Sequence, residues 1–185
     1  MTRRTMTLFV AAAALLAGGC GGGDGNKADG NGSTARAAGG PGEAKETLGQ
    51  AIGRTAGLGA FSGAVKTAGL EGVLGSASAY TIFAPNDAAF AGAGGAAGRD
   101  KAKLAGLIRG HIVPGVVTVQ DLKAAIEKGG GKARLATLSG TTLTARREGD
   151  TILVSGASAG EARVVQADLM GSNGVAHVVD GLLAR

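Results

Sequence analysis

Tyr80-Thr81-Ile82-Phe83-Ala84-Pro85-Asn86-Asp87-Ala88-Ala89-Phe90 carries two structural instructions in one short stretch. Its first half is β-branched and aromatic, the composition of a strand. Pro85 closes that strand, because proline has no N–H to give a sheet ladder. Asn86 then offers a side-chain oxygen to the orphan N–H groups of a helix, so a short helix is expected through Asp87 to Phe90. Asp87 falls in the first turn, where the helix dipole favours a negative charge. A strand running straight into a capped helix marks a mixed α and β domain.

Upstream of this stretch the apolar period is helical. Leu48, Ala51, Ile52 and Ala56 predict a helix over about 44–56, and Phe61, Ala64, Val65 and Ala68 predict one over 60–68. Gly69 ends the second, since glycine accepts the left-handed conformation that closes helices. Downstream, Leu104, Leu107 and Ile108 form the buried stripe of a helix over 100–108. Thr118 and Asp121 make a capping-box-like pair opening another helix, which stops at Gly129-Gly130-Gly131. Beyond it the period changes to two. Segments 133–138, 142–146, 151–154, 163–169 and 175–179 read as strands between Ser-Gly, Gly-Asp and Gly-rich turns. Helices first and strands later give an α+β domain with segregated layers.

Three segments together resemble the fasciclin (FAS1) family. They are Thr81 to Phe90, the stretch Leu107-Ile108-Arg109-Gly110-His111-Ile112-Val113-Pro114-Gly115, and Asn173-Gly174-Val175-Ala176-His177-Val178-Val179-Asp180. Their order and spacing fit one such unit over about 43–185. The resemblance implies a wedge of two β-sheets with helices packed along it, found in extracellular adhesion and matrix proteins and in secreted bacterial proteins. It implies no catalytic activity. The family-motif residues it singles out are Thr81, Phe83, Pro85, Asn86, Asp87, Phe90, His111, Asn173, Gly174, His177 and Asp180. Animal members place a tyrosine before the central histidine, in a pair linked to integrin binding. Gly110 stands there in this chain, so integrin-type recognition does not carry over.

The N-terminal segment has a different logic. Arg3 and Arg4 precede an apolar run from Leu8 to Leu16, and Ala17-Gly18-Gly19 supplies small residues before Cys20. This is the three-part pattern of a secretory signal, too short to span a bilayer, which takes about 20 apolar residues. Cys20 is the only cysteine, and its setting resembles the lipobox of bacterial lipoproteins, although Ala17 stands where leucine is usual. That class carries a diacylglyceryl group on the thiol and usually an acyl chain such as palmitate on the new amine. The expected organisation is a lipoprotein signal peptide over 1–19, a lipidated Cys20 with a flexible Gly-rich tether over 20–42, and the folded domain over 43–185. A tether of Gly, Ala, Asn and Ser cannot bury enough apolar surface to offset its ordering entropy. With Cys20 used up, the domain has no disulfide and must hold by packing.

Composition narrows the function. Aromatic residues are 3% with no Trp, so the core is aliphatic. The formal net charge is +5, with Arg3 and Arg4 in the leader. No dense basic stripe with stacking aromatics accompanies it, so nucleic acid is not an expected partner. Hydrolase chemistry needs a nucleophile beside a base and an oxyanion donor. Ser139, Ser155, Ser158 and Ser172 all sit in Gly- or Ala-flanked turn contexts, and no G-x-S-x-G elbow is present. His111 and His177 precede apolar strand residues without a third metal ligand at suitable spacing, so both are expected as satisfied structural histidines. Asn173 and Asp180, flanking the last strand, are expected in turn and backbone-bonding roles. The expectation is a non-enzymatic, extracytoplasmic binding or adhesion module, lipid-anchored to the cell envelope, with no cofactor and with an envelope protein, cell-surface or matrix component as partner. The alternative is a carrier of an apolar small molecule, a pigment or lipid. Recognition of envelope polysaccharide ranks third, because sugar sites usually present aromatic faces and Tyr80 is the single tyrosine.

Overall fold

The first helix opens where the sequence offers a reciprocal cap. The Thr47 hydroxyl accepts from the Gln50 N–H while the Gln50 side chain accepts from the Thr47 N–H. This box makes α1 (Leu48–Arg54) shorter than the apolar period suggests. The computed structural model describes residues 45–92, 100–157 and 159–184. The expected signal peptide over 1–19, Cys20, the tether over 20–42 and Ser158 lie outside the described residues.

After α1 come α2 (Gly59–Ala68) and α3 (Glu71–Leu74), then β1 (Tyr80–Pro85), α4 (Asp87–Gly92), α5 (Lys101–Arg109), β2 (Ile112–Pro114) and α6 (Val119–Lys128). Five strands follow: β3 (Lys132–Ala136), β4 (Thr142–Glu148), β5 (Thr151–Gly156), β6 (Glu161–Gly171) and β7 (Gly174–Val179). α2 buries the expected Phe61, Ala64, Val65 and Ala68 and ends at Gly69 with φ 72°. Thr118 and Asp121 form the expected capping box of α6. The pattern does not announce α3 and β2, because a single helical turn and a three-residue strand are too short to show a period.

Hydrogen bonding runs through seven strands in the order β2-β1-β7-β6-β5-β4-β3. β1 and β7 are parallel, and every other pair is antiparallel. β6 serves both halves. It pairs with β5 through Glu161 to Arg163 and with β7 from Val164 to Gly171, with register shifts flanking Gln166. The shifts bend the strand, as bulges do. The two sheets of the expected wedge are therefore two four-stranded halves that share β6. Their outer ends also meet, because the Leu138 N–H just after β3 donates to the Ile112 carbonyl of β2 at 2.8 Å. That bond occupies part of an edge which would otherwise offer itself for intermolecular pairing.

Two apolar clusters fill the α+β domain. Ile82 and Ala84 of β1, with Ala176 and Val178 of β7, pack against Leu48, Ile52, Phe61, Leu74, Leu104 and Ile108 from the helices. Phe83 and Val179 point the other way, into a cluster with Leu122 and Ile126 of α6 and Leu143, Ala145, Ile152 and Val154. β1 is buried on both faces, and a parallel central strand with two buried faces reads as an unbroken apolar run. That is why the opening stretch is so apolar.

Candidate functional site

The motif residues do not converge on a cleft. Asn86 caps its own helix, and each of the other polar ones bonds the backbone of a segment distant in sequence. The Thr81 hydroxyl donates to the Gly115 carbonyl at 2.7 Å and accepts from the Val117 N–H at 2.8 Å, holding the loop after β2. Phe83, Pro85 and Phe90 are buried packing residues. Asn86 accepts from the Ala89 N–H at 2.8 Å, the expected cap of α4. Asp87 accepts from the Ala60 N–H at 2.8 Å, so it also caps α2, whose own N-cap residue Leu58 contributes no side-chain bond.

The two histidines carry opposite tautomers. The Leu183 N–H donates to His111 Nε2 at 3.0 Å, so the ring proton sits on Nδ1 and is donated to the Leu107 carbonyl at 2.9 Å. In His177 the Asp168 N–H approaches Nδ1 at 3.3 Å, and Nε2–H donates to the Val117 carbonyl at 2.8 Å. Burial pulls the His111 ring down to about 4, partly opposed by its bond to Leu107. Burial also lowers His177, against the pull of the Val117 carbonyl and the Asp168 carboxylate 4.0 Å away. Both rings are neutral staples at physiological pH.

Asn173 bonds three backbone groups distant in sequence. Its Oδ1 accepts from the Leu48 N–H at 2.7 Å, and its Nδ2 donates to the Leu74 and Ser76 carbonyls at 2.8 and 2.7 Å. One buried amide thus joins the start of α1, the end of α3 and the turn before β7. Gly174 follows because nothing larger fits, as a Cβ there would meet the Tyr80 carbonyl oxygen at 2.0 Å. Asp180 accepts from the Arg163 N–H at 2.6 Å, fastening β7 to β6.

Asp168 is the residue that sequence reasoning missed. It lies inside β6 with φ 54°, and its carboxylate accepts from the Val119 N–H at the start of α6 at 2.9 Å. The available signal was a β-unfavourable aspartate within an otherwise strand-forming run. The serines weighed as nucleophiles have no base beside them among the described residues. Ser139 Oγ lies 2.9 Å from both the Thr137 and Thr141 hydroxyls, and Ser155 Oγ bonds the Thr144 carbonyl. Among the described residues no three His, Cys, Asp or Glu side chains gather around a common point. A groove of about 390 Å³ lies between α1, α2 and α3, with Ile52, Val65 and Leu74 beside Arg54, Lys66 and Glu71 in its wall.

Comparison with known proteins matches residues 56–185 to the family model described as "Fasciclin domain". The match begins after α1, yet Leu48 and Ile52 of that helix belong to the same core. A Synechocystis protein, sll1483, is 34% identical over 126 residues, covering 65% of this chain and 63% of its own length. Human periostin is 30% identical over 127 residues, 66% of this chain but 14% of periostin. Mouse stabilin-1 is 33% identical over 155 residues, 77% of this chain and 5% of stabilin-1. The chain thus spans less than two thirds of the length of these relatives. Among solved structures, a domain pair from the insect cell adhesion molecule Fasciclin I superposes with a TM-score of 0.56 at 26% identity. The superposition covers 69% of this chain and 45% of that one.

Proposed function

Because the chain belongs to the fasciclin domain family, we propose that it is an extracytoplasmic binding or adhesion module, anchored to the cell envelope through Cys20 and working by its outer surface. One observation supports this most. The polar motif residues Thr81, Asn86, Asp87, His111, Asn173, His177 and Asp180 are all engaged in holding strands, loops and helix ends together. A reaction centre needs polar groups aimed at a substrate, whereas these are aimed at the protein's own backbone. The kinship with a cell adhesion molecule points the same way.

Deletion of the gene, with scoring of surface attachment, biofilm and cell–cell contact, tests the adhesion reading. Reduced attachment restored by the wild-type gene supports it, and unchanged behaviour in all three assays overturns it. The anchor is tested separately by Cys20→Ser. That variant is expected to lose labelled palmitate and to leave the membrane fraction, and membrane retention without label would remove the lipoprotein reading. The carrier alternative has the α1–α2–α3 groove in its favour, but Arg54, Lys66 and Glu71 make its wall partly charged. Organic extraction of the protein purified from its own host decides that question, and an extract free of pigment and lipid removes the carrier.

A further inference from the structure

The register of β3 to β6 sets up a row of charge that no single strand reveals. Lys132 on β3 opposes Arg146 on β4, Arg146 opposes Leu153 on β5, and Leu153 opposes Arg163 on β6. Directly opposed residues share a face, so these four lie in one line across the strands. With strands about 4.8 Å apart, the line spans roughly 14 Å. The next line on that face is Arg134, Thr144, Ser155 and Glu161. The opposite face carries Ala133, Leu143, Ala145, Ile152, Val154 and Ala162 and belongs to the core. The charged face therefore points outward.

Its charges are unevenly used. Arg146 reaches across β5 to Glu161 at 2.7 Å and also meets Glu148 at 3.3 Å. That path passes over Leu153, which is only 5% exposed although it is on the outer face. Lys132, Arg134 and Arg163 form no ion pair among the described residues, and all three are exposed. Asp180, opposite Arg163, accepts from the Arg163 backbone N–H through Oδ1 and keeps its negative charge beside that residue. Four cations against Glu148, Glu161 and Asp180 still leave the face net positive. Placing Lys132 directly opposite Arg146 costs folding energy, since like charges facing across strands repel.

We propose that this face is the docking surface for a carboxylated polysaccharide, lying across the strands with its acid groups on Lys132, Arg134 and Arg163. These three cations stand at the two ends of the row, Lys132 and Arg134 on β3 and Arg163 on β6, so an extended polyuronate spanning about three strand spacings meets both ends. The glutamates decide between anionic partners. A polyuronate places hydroxyl donors beside every acid group, so Glu148 and Glu161 gain partners, whereas a surface dominated by phosphate oxygens mainly repels them. Thr144 and Ser155 offer further hydroxyl contacts. Recognition of this kind rests on charge and hydrogen bonds, so it needs no aromatic platform. It names the partner and face of the binding module proposed above and rests on that reading.

The test is retention of the full chain in native gels containing alginate, compared with gels containing dextran and with sedimentation on phosphatidylglycerol–phosphatidylcholine vesicles. The wild-type chain is expected to be retarded by alginate, not by dextran, and less so as salt screens the charges. K132S/R134S/R163S should bind on the order of tenfold more weakly or worse, with its thermal transition not lowered, since the Lys132–Arg146 repulsion is removed. K101S/K103S on α5 removes a similar charge elsewhere and should bind as the wild type does. Undiminished binding by the triple variant overturns the proposal, as does equal loss in the α5 control, which would mean net charge alone. Vesicle binding that matches or exceeds alginate binding overturns it in favour of a lipid surface. If the triple variant stays bound while gene deletion abolishes attachment, this face is wrong and the adhesion reading stands. If alginate binding follows the proposal while deletion changes nothing, the adhesion reading falls alone.

Discussion

At the scale of single residues, a few buried polar side chains each join separate segments of the chain. Asn173 satisfies three backbone groups at once. Each group left unpaired and buried costs about 1–3 kcal/mol. Asn173→Ala is therefore expected to destabilise by roughly 3–5 kcal/mol, read as a lower urea midpoint with an unchanged m value. Asn173→Asp should be no better, because it turns a carboxylate oxygen toward the Leu74 and Ser76 carbonyls. A midpoint for either variant close to wild type would show that the amide is dispensable. His111 adds a pH dependence. Its folded-state value of about 4 lies below the ordinary 6.5, so the unfolded chain binds the proton more readily. The stability it confers is complete above pH 6.5 and is lost as pH falls toward 4, by about 3 kcal/mol. His177 is lowered in the same direction. Urea unfolding across this window should therefore show stability falling with acid, and His111→Met should be less stable at pH 7 but lose less on acidification. A parallel profile for the two proteins would refute the assignment to His111.

At the scale of elements, the parallel pair β1 and β7 is the keystone, and Gly174 is its narrowest point. A Cβ at Gly174 meets the Tyr80 carbonyl oxygen at 2.0 Å, and φ of 154° disfavours any L side chain. Gly174→Ala must push β7 away from β1 at the start of their ladder. The expected outcome is a largely insoluble product, or a soluble one with a melting temperature lower by many degrees. A soluble variant melting with the wild type would contradict the close approach. This pairing also shows what the sequence could and could not convey. β1, α4 and their junction were legible because Pro85 and Asn86 mark the boundary chemically, and α6 was legible because Thr118 and Asp121 advertise a cap. α1 was read too long at both ends, since the Thr47–Gln50 box opens it at Leu48 and Thr55 turns extended after Arg54. The partners of the motif residues were invisible. Asn173 bonds residues 97 to 125 positions away, and His111 bonds Leu183 at a separation of 72. The charged row of Lys132, Arg146 and Arg163 was hidden for the same reason. Its members belong to different strands and meet only through register.

At the scale of the whole molecule, the seven-strand order turns back on itself, and the C-terminal residues seal the turn. Leu183 is 2% exposed within the cluster of Phe83, Val113 and Ile152, while its N–H holds His111. The space at Gly156 where a Cβ would sit is taken by the Leu183 carbonyl oxygen at 1.7 Å, so the tail also presses on β5. A segment outside any helix or strand thus touches the helical half, through His111, and the sheet half, through Gly156. Leu183→Ala keeps the backbone bond and loses only packing, which for a buried leucine costs about 2–5 kcal/mol. Ending the chain after Gly181 removes both, and it should cost more by roughly the 1–3 kcal/mol of an unpaired buried nitrogen. The truncation carries a second signature. With Leu183 gone, water reaches the His111 ring, its proton affinity rises toward the ordinary value, and the acid sensitivity between pH 6.5 and 4 shrinks. Leu183→Ala, which leaves the N–H in place, should retain most of that sensitivity. Unfolding curves for both proteins at pH 7 and near pH 4.5 separate the effects. Equal stability of the truncated and full-length chains would mean that the wedge closes without its tail.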